Sequence, residues 1–153
     1  KRKTILLRAV LLACISTWLL LFPAPAAAQD TPAGEDLEIE KLEFLYNHLL
    51  IMPETLLYRL MENDRGFVLY DLREPAAYRS GHVAGAANRP WADGGLQGEQ
   101  DFPRDRDLLL ISGDGEDALR ALHLLVTAGY ERVYSVEGGM ENWMYGGYLV
   151  EGP

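Results

Sequence analysis

The chain has 153 residues, 48% of them hydrophobic and 24% charged, a composition that fits a globular protein and excludes a disordered or fibrous one. A formal charge of −9 opposes nucleic acid and anionic membrane surfaces and favours cationic partners. Cys14 is the single cysteine, so no disulfide can form within the chain.

Lys1, Arg2, Lys3 and Arg8 form a basic head, Ala9 to Phe22 is apolar, and Pro23 to Ala28 ends in Ala26-Ala27-Ala28. This is the order of a secretory signal, with cleavage expected after Ala28. The apolar stretch falls short of the roughly 20 residues of a membrane-spanning helix, so no stable membrane insertion is expected after cleavage. Leu11-Leu12-Ala13-Cys14 also resembles the lipobox of bacterial lipoproteins, which would place a lipid anchor on Cys14. Arg8 leaves only a short apolar segment before that cysteine, and the apolar run continues beyond it, which favours simple cleavage. Cleavage removes four basic residues and no acidic one, so the formal charge of −9 becomes −13. It also removes the only thiol, leaving no cysteine nucleophile and no thiolate ligand. About 125 residues remain, enough for one domain with a single core. The basic head, apolar core and alanine site point to a secreted protein with a bacterial periplasmic address.

Gln29 to Glu35 is a polar linker. From Asp36 the spacing predicts an amphipathic helix, with Leu42, Leu45 and Leu49 on one face and Glu38, Glu40, Lys41 and Glu43 largely on the other. Met52-Pro53-Glu54 opens a second helix, in which Leu56, Leu57, Leu60 and Met61 give the inward face. Phe67 to Tyr70 reads as a strand that ends in Asp71-Leu72-Arg73-Glu74-Pro75. Trp91 to Arg106 has no clear period and stands between two sheet elements, where it is expected to cover the loop that follows, with Trp91 and Phe102 as packing anchors.

Leu108 to Ile111 is wholly apolar and predicts a strand buried on both faces. It stops at a turn of Ser112, Gly113, Asp114 and Gly115. A helix follows, with Glu116 and Asp117 in its first turn and Ala118, Leu119, Leu122, Leu125 and Val126 on one apolar face; Gly129 supplies its stop. Strand, glycine-bearing loop and helix N-terminus form a cup of backbone N–H groups of the kind that binds anions in α/β proteins. Val133 to Val136 is the last strong strand, and Gly138 to Tyr145 turns into a short helix.

Three pieces of this chain, DLREPAAYRSGHVAGAANRP, the strand, loop and helix at Ser112, and AGYERVYSVEGGMENW, together resemble the rhodanese-like domain, in its order and spacing. The resemblance covers about Pro53 to Glu151, so that the signal peptide read over 1–28 and the linker and N-terminal helix over 29–52 are followed by the domain over 53–153. It also implies a three-layer α/β fold, a mainly parallel sheet of about five strands flanked by helices on both faces. Asp71 and Arg73 match the family's aspartate and arginine after the first core strand, near the active-site side of the sheet. Tyr78, His82, Val83, Gly85 and Ala86 match an aromatic-x-x-x-His-aliphatic-Pro-Gly-Ala signature, with Ala84 where proline is usual; His82 resembles a structural histidine. Gly138, Gly139 and Trp143 match a late Gly-Gly-x-x-x-Trp signature. The active loop of the family runs Cys-x-x-Gly-x-Arg. Here Ser112 takes the cysteine position, Gly115 keeps the glycine and Asp117 stands at the arginine.

A persulfide needs a sulfur nucleophile, and a serine hydroxyl cannot carry sulfane sulfur. Asp114, Glu116 and Asp117 also repel the oxyanions that such a loop attracts. As a hydrolase nucleophile Ser112 needs a base, and His48, His82 and His123 have no spacing that supplies one; His123 is expected on the helix surface. The expected function is a non-catalytic module that binds a protein partner through its former active face, with no cofactor. The alternatives are a thiosulfate sulfurtransferase acting by an unrecognised route, and a divalent-cation module using Asp114, Glu116 and Asp117.

Overall fold

A computed structural model describes residues 38–96 and 102–152. The expected signal segment, Cys14 and the linker lie outside the described residues. The elements run α1 (Ile39–Tyr46), a 3-10 turn (Asn47–Leu49), β1 (Leu50–Ile51), α2 (Pro53–Met61), β2 (Phe67–Asp71), α3 (Pro75–Ser80) and β3 (Ala87–Asn88). They continue with a small hairpin of β4 (Trp91–Ala92) and β5 (Gly95–Leu96), then β6 (Asp107–Ile111), α4 (Glu116–Thr127), β7 (Val133–Val136) and α5 (Gly139–Tyr145).

Five strands form one sheet in the order β1-β7-β6-β2-β3, and every pair in it is parallel. β6 lies at the centre because it is apolar from Leu108 to Ile111, and a parallel sheet covered on both sides needs such a strand in the middle. Its side chains alternate between two layers. Leu108 and Leu110 meet α1 and α4 through Leu42, Ala118 and Leu122. Leu109 and Ile111 meet α2 and α5 through Leu56, Met140 and Trp143. Each of these β6 side chains is fully or almost fully buried, which contributes about 1.5–3 kcal/mol apiece. The α/β architecture expected from the sequence, five strands and helices on both faces, is the one observed. No described helix is long and apolar enough to cross a membrane.

Several expectations are corrected. The first helix begins at Ile39 and buries only Leu42, while Leu45 is exposed; Leu49 falls in the 3-10 turn. Leu50 and Ile51, within the expected linker and N-terminal helix over 29–52, form an edge strand paired with Ser135 and Val136. Two residues are too few for any periodicity to show. Met61 is 75% exposed, because only Leu56 of its set points straight into the layer, with Leu57 and Leu60 packed at its margin. The described end of the 91–106 stretch does not cover the Ser112 loop. Phe102 packs on Tyr70 and Tyr130, and the Arg104 guanidinium donates to the Gly129 carbonyl at 2.9 Å, at the opposite end of α4. His123 is no free surface residue either: its Nδ1 lies 2.7 Å from the Tyr46 hydroxyl and ties α4 to α1.

Candidate functional site

The buried strand β6 delivers Ser112 to the C-terminal edge of the sheet, where ligands of open α/β sheets bind. Ser112 is 1% exposed. Its Oγ accepts the backbone N–H of Gly115 at 3.1 Å and of Ala118 at 3.3 Å, so the cup closes around the side chain at its own first position. Gly115, at φ +100°, turns the chain into α4, a conformation that excludes most side chains. The Asp114 carboxylate accepts the Glu116 N–H at 3.0 Å and caps the helix start.

The loop is held from behind by α5. The Met140 and Glu141 N–H groups donate to the carbonyls of Ser112 and Gly113 at 2.8 and 2.9 Å. This close approach explains Gly139: a Cβ there would overlap the Ser112 carbonyl oxygen and lie 2.8 Å from the Gly113 oxygen and the Gly115 nitrogen. The Gly138-Gly139 pair therefore shapes the loop through the backbone alone.

Asp71 and Arg73 sit at the same sheet edge, since Asp71 pairs in register with Ile111. Asp71 is fully buried, and Arg73 Nη2 donates to its carboxylate at 2.6 Å and to the Gly81 carbonyl at 2.7 Å. The guanidinium is thereby committed to joining β2 to the end of α3. Removing one partner of such a buried pair typically costs about 3–5 kcal/mol, which makes the pair a structural clamp. His82 is likewise an anchor: its ring stacks on Tyr78 at 3.9 Å, Nδ1 lies 3.0 Å from the Tyr78 carbonyl, and its backbone pairs with Glu151.

Beside the cup, between the start of α4 and the β1–β7 edge, is a depression of about 40 Å³ lined by Asp114, Gly115, Glu116 and Gly138, together with Glu43 from α1 and Glu137 after β7. Sequence reasoning missed Glu43 and Glu137, which lie far from the loop in the chain and reach it only because α1 packs on α4 and β7 lies beside β6. The cation candidate is corrected here. Glu116 and Asp117 both pair with Arg120, at 3.2 and 3.0 Å, while Asp114 turns to the Glu116 amide. Among the described residues no group of three histidine, cysteine or acidic side chains is placed to hold a metal ion. Among the described residues no histidine is hydrogen-bonded to Ser112, whose Oγ meets the Gly115 and Ala118 N–H groups, while His82 and His123 are engaged with Tyr78 and Tyr46. A larger cleft of about 250 Å³ at Arg104, Arg106 and Arg132 is far from this chemistry, and its arginines serve Gly129, Asp105 and Asp107.

Comparison with known proteins agrees with this geometry. The rhodanese-like domain model matches residues 54–145. The thiosulfate sulfurtransferase GlpE of Pseudomonas entomophila is 35% identical over 108 residues, which cover 67% of this chain and 92% of that protein. Its counterpart from Tolumonas auensis is 31% identical over 77 residues, covering 50% of this chain and 72% of the relative. The solution structure of a rhodanese-like domain from Anabaena sp. superposes with a TM-score of 0.59 at 27% identity, covering 69% of this chain and 80% of that one. With the domain model spanning more than half of its length, and with the parallel sheet and strand-loop-helix cup in place, this chain belongs to the rhodanese-like domain family.

Proposed function

We propose that this protein is a secreted, non-catalytic rhodanese-like module that binds a protein partner at its Ser112 loop face and works in the bacterial periplasm. One observation carries the reading: residues 54–145, which match the domain, contain no cysteine, and Ser112 opens the loop after β6. The loop amides of Gly115 and Ala118 point at a hydroxyl oxygen, which has no means of holding sulfane sulfur. Four carboxylates beside the loop, from Glu43, Asp114, Glu116 and Glu137, disfavour thiosulfate and other anions and suit a cationic partner.

The test is thiosulfate-to-cyanide sulfur transfer by the purified protein. The expected result is no turnover above a heat-denatured control. A second reading, an active sulfurtransferase, is favoured by the names of the relatives, which are thiosulfate sulfurtransferases. Robust turnover that disappears in Ser112→Ala establishes that reading and ends the first.

A further inference from the structure

The loop face is not the only surface with an unexplained character. α2 and α5 cover the same side of the sheet, and both bury one stripe in a shared layer that includes Leu56, Leu60, Met140 and Trp143. The run over 146–152 is fastened to them, since the Tyr148 hydroxyl donates to Glu54 at 2.9 Å and Trp143 Nε1 donates to the Leu149 carbonyl at 3.1 Å. The outward stripe of this assembly is apolar. Tyr58 and Met61 project from α2, Met144 and Tyr145 from α5, and Leu149 from the terminal run, and Tyr145 is 93% exposed. Exposed large apolar side chains grouped on one side mark interaction surfaces, and flexible methionines adapt to the partner's shape.

The charges around this stripe select the partner. Glu54, Glu62, Glu141 and Glu151 are exposed on these same elements. Their one basic residue, Arg59, turns its guanidinium away to Asp64, Asp107 and the Phe67 ring. A second copy of the chain would bring like charges together, and an anionic membrane would be repelled. We infer that the α2–α5 face is a docking surface for a basic amphipathic helix of a partner protein, with its apolar stripe on Met61, Met144 and Tyr145 and its lysines or arginines against the glutamate rim. The inference does not depend on the catalytic reading, because an active enzyme can carry the same surface.

The test titrates the protein with an 18-residue peptide of leucine and lysine whose leucines recur at i, i+3, i+4 and i+7. A scrambled peptide of the same composition and a leucine–glutamate peptide serve as controls, all in 0.15 M salt, with binding read by calorimetry and amide chemical shifts. The helical basic peptide is expected to bind at least tenfold more tightly than either control. Met144→Ser with Tyr145→Ser should weaken it at least tenfold, without a change in melting temperature because both side chains are solvent-exposed. Met61→Ser, on the other helix, should weaken it severalfold. Asp114→Asn with Glu116→Gln, at the loop, should leave it within twofold. Equal binding of the scrambled peptide, retention in the α5 variant, or loss in the loop variant instead overturns the inference. So does self-association by sedimentation that the α5 variant abolishes, since the face would then belong to a second copy.

Discussion

At the scale of one residue, the proposed non-catalytic reading turns on Ser112, and the surrounding charges decide what a thiol placed there would do. In Ser112→Cys the sulfur would take the place of an oxygen that accepts two backbone N–H groups, from Gly115 and Ala118. Against this, a carboxylate at ~6 Å with an effective dielectric near 20 opposes a thiolate by about 3 kcal/mol, or roughly two pKa units, before screening. Arg120 pairs with Glu116 and Asp117, and all three loop carboxylates are at least partly solvated, so the surviving opposition is about one unit. At this buried site the helix N-terminus returns up to about 2 kcal/mol, and burial itself opposes the thiolate. Ser112→Cys alone should therefore stay largely protonated near neutral pH. Adding Asp117→Arg, which reverses one charge, should lower the thiol pKa by about one unit and raise persulfide formation from thiosulfate severalfold. The pH dependence of thiol alkylation, run beside the cyanide assay, reads both effects. Full turnover by the single variant would show that the acidic loop is no barrier.

At the scale of elements, the loop depends on the close approach of α5. Gly139→Ala places a methyl against the Ser112 carbonyl and two further backbone atoms, at φ +54°, where nothing can swing aside. A loss of about 3 kcal/mol or more is expected in urea unfolding. Gly138→Ala, at φ +64°, meets the Asn142 side chain, whose amide can rotate at the cost of its bond to the Glu137 carbonyl but whose Cβ, at 2.9 Å, must shift with the helix, so about 2 kcal/mol is expected. Equal effects at the two positions would mean that α5 does not brace the loop. The terminal run gives a pH-dependent counterpart. The hydrogen bond from Tyr148 to Glu54, with burial and the nearby negative charge adding to it, raises the phenol above its ordinary value of 10.0. A raised folded pKa means that this tie contributes fully below pH 10 and is lost as the pH climbs through the higher folded value. Tyr148→Phe should lower the melting temperature across the neutral range, where the tie is fully made, and remove that alkaline decline, as followed by melting temperature against pH.

For the whole molecule, the decisive property is processing. A basic head followed by an apolar stretch and an alanine site is expected to be cut after Ala28, so N-terminal sequencing of secreted protein should start at Gln29. A product cut there would carry a formal charge of −13, from −9 less four basic residues, and no thiol. Recovery of lipidated Cys14 in the membrane fraction would replace the soluble address with a membrane one.

The sequence by itself determined the architecture, because the apolar run at β6, the glycine turn and the helical spacing after it are local and unambiguous. Pro53 placed α2 correctly, and the Gly-Gly pair before Trp143 placed α5, since both rest on backbone chemistry that few other residues satisfy. Ser112 was legible as the loop's first residue for the same reason. The tertiary structure decided which periodic residues are buried: Leu45 and Met61 share helical spacing with core leucines, yet each helix touches the sheet along a stripe narrower than its apolar face. It decided that Leu50 and Ile51 form a strand, because a two-residue edge strand exists only through its partners in β7. It decided that Arg73 serves Asp71 and Gly81, that His123 serves Tyr46, and that Glu43 and Glu137 join the loop carboxylates beside the cup. Each of these is a contact between residues distant in the chain. Periodicity and propensity are local quantities, and they carry no record of which distant surfaces meet.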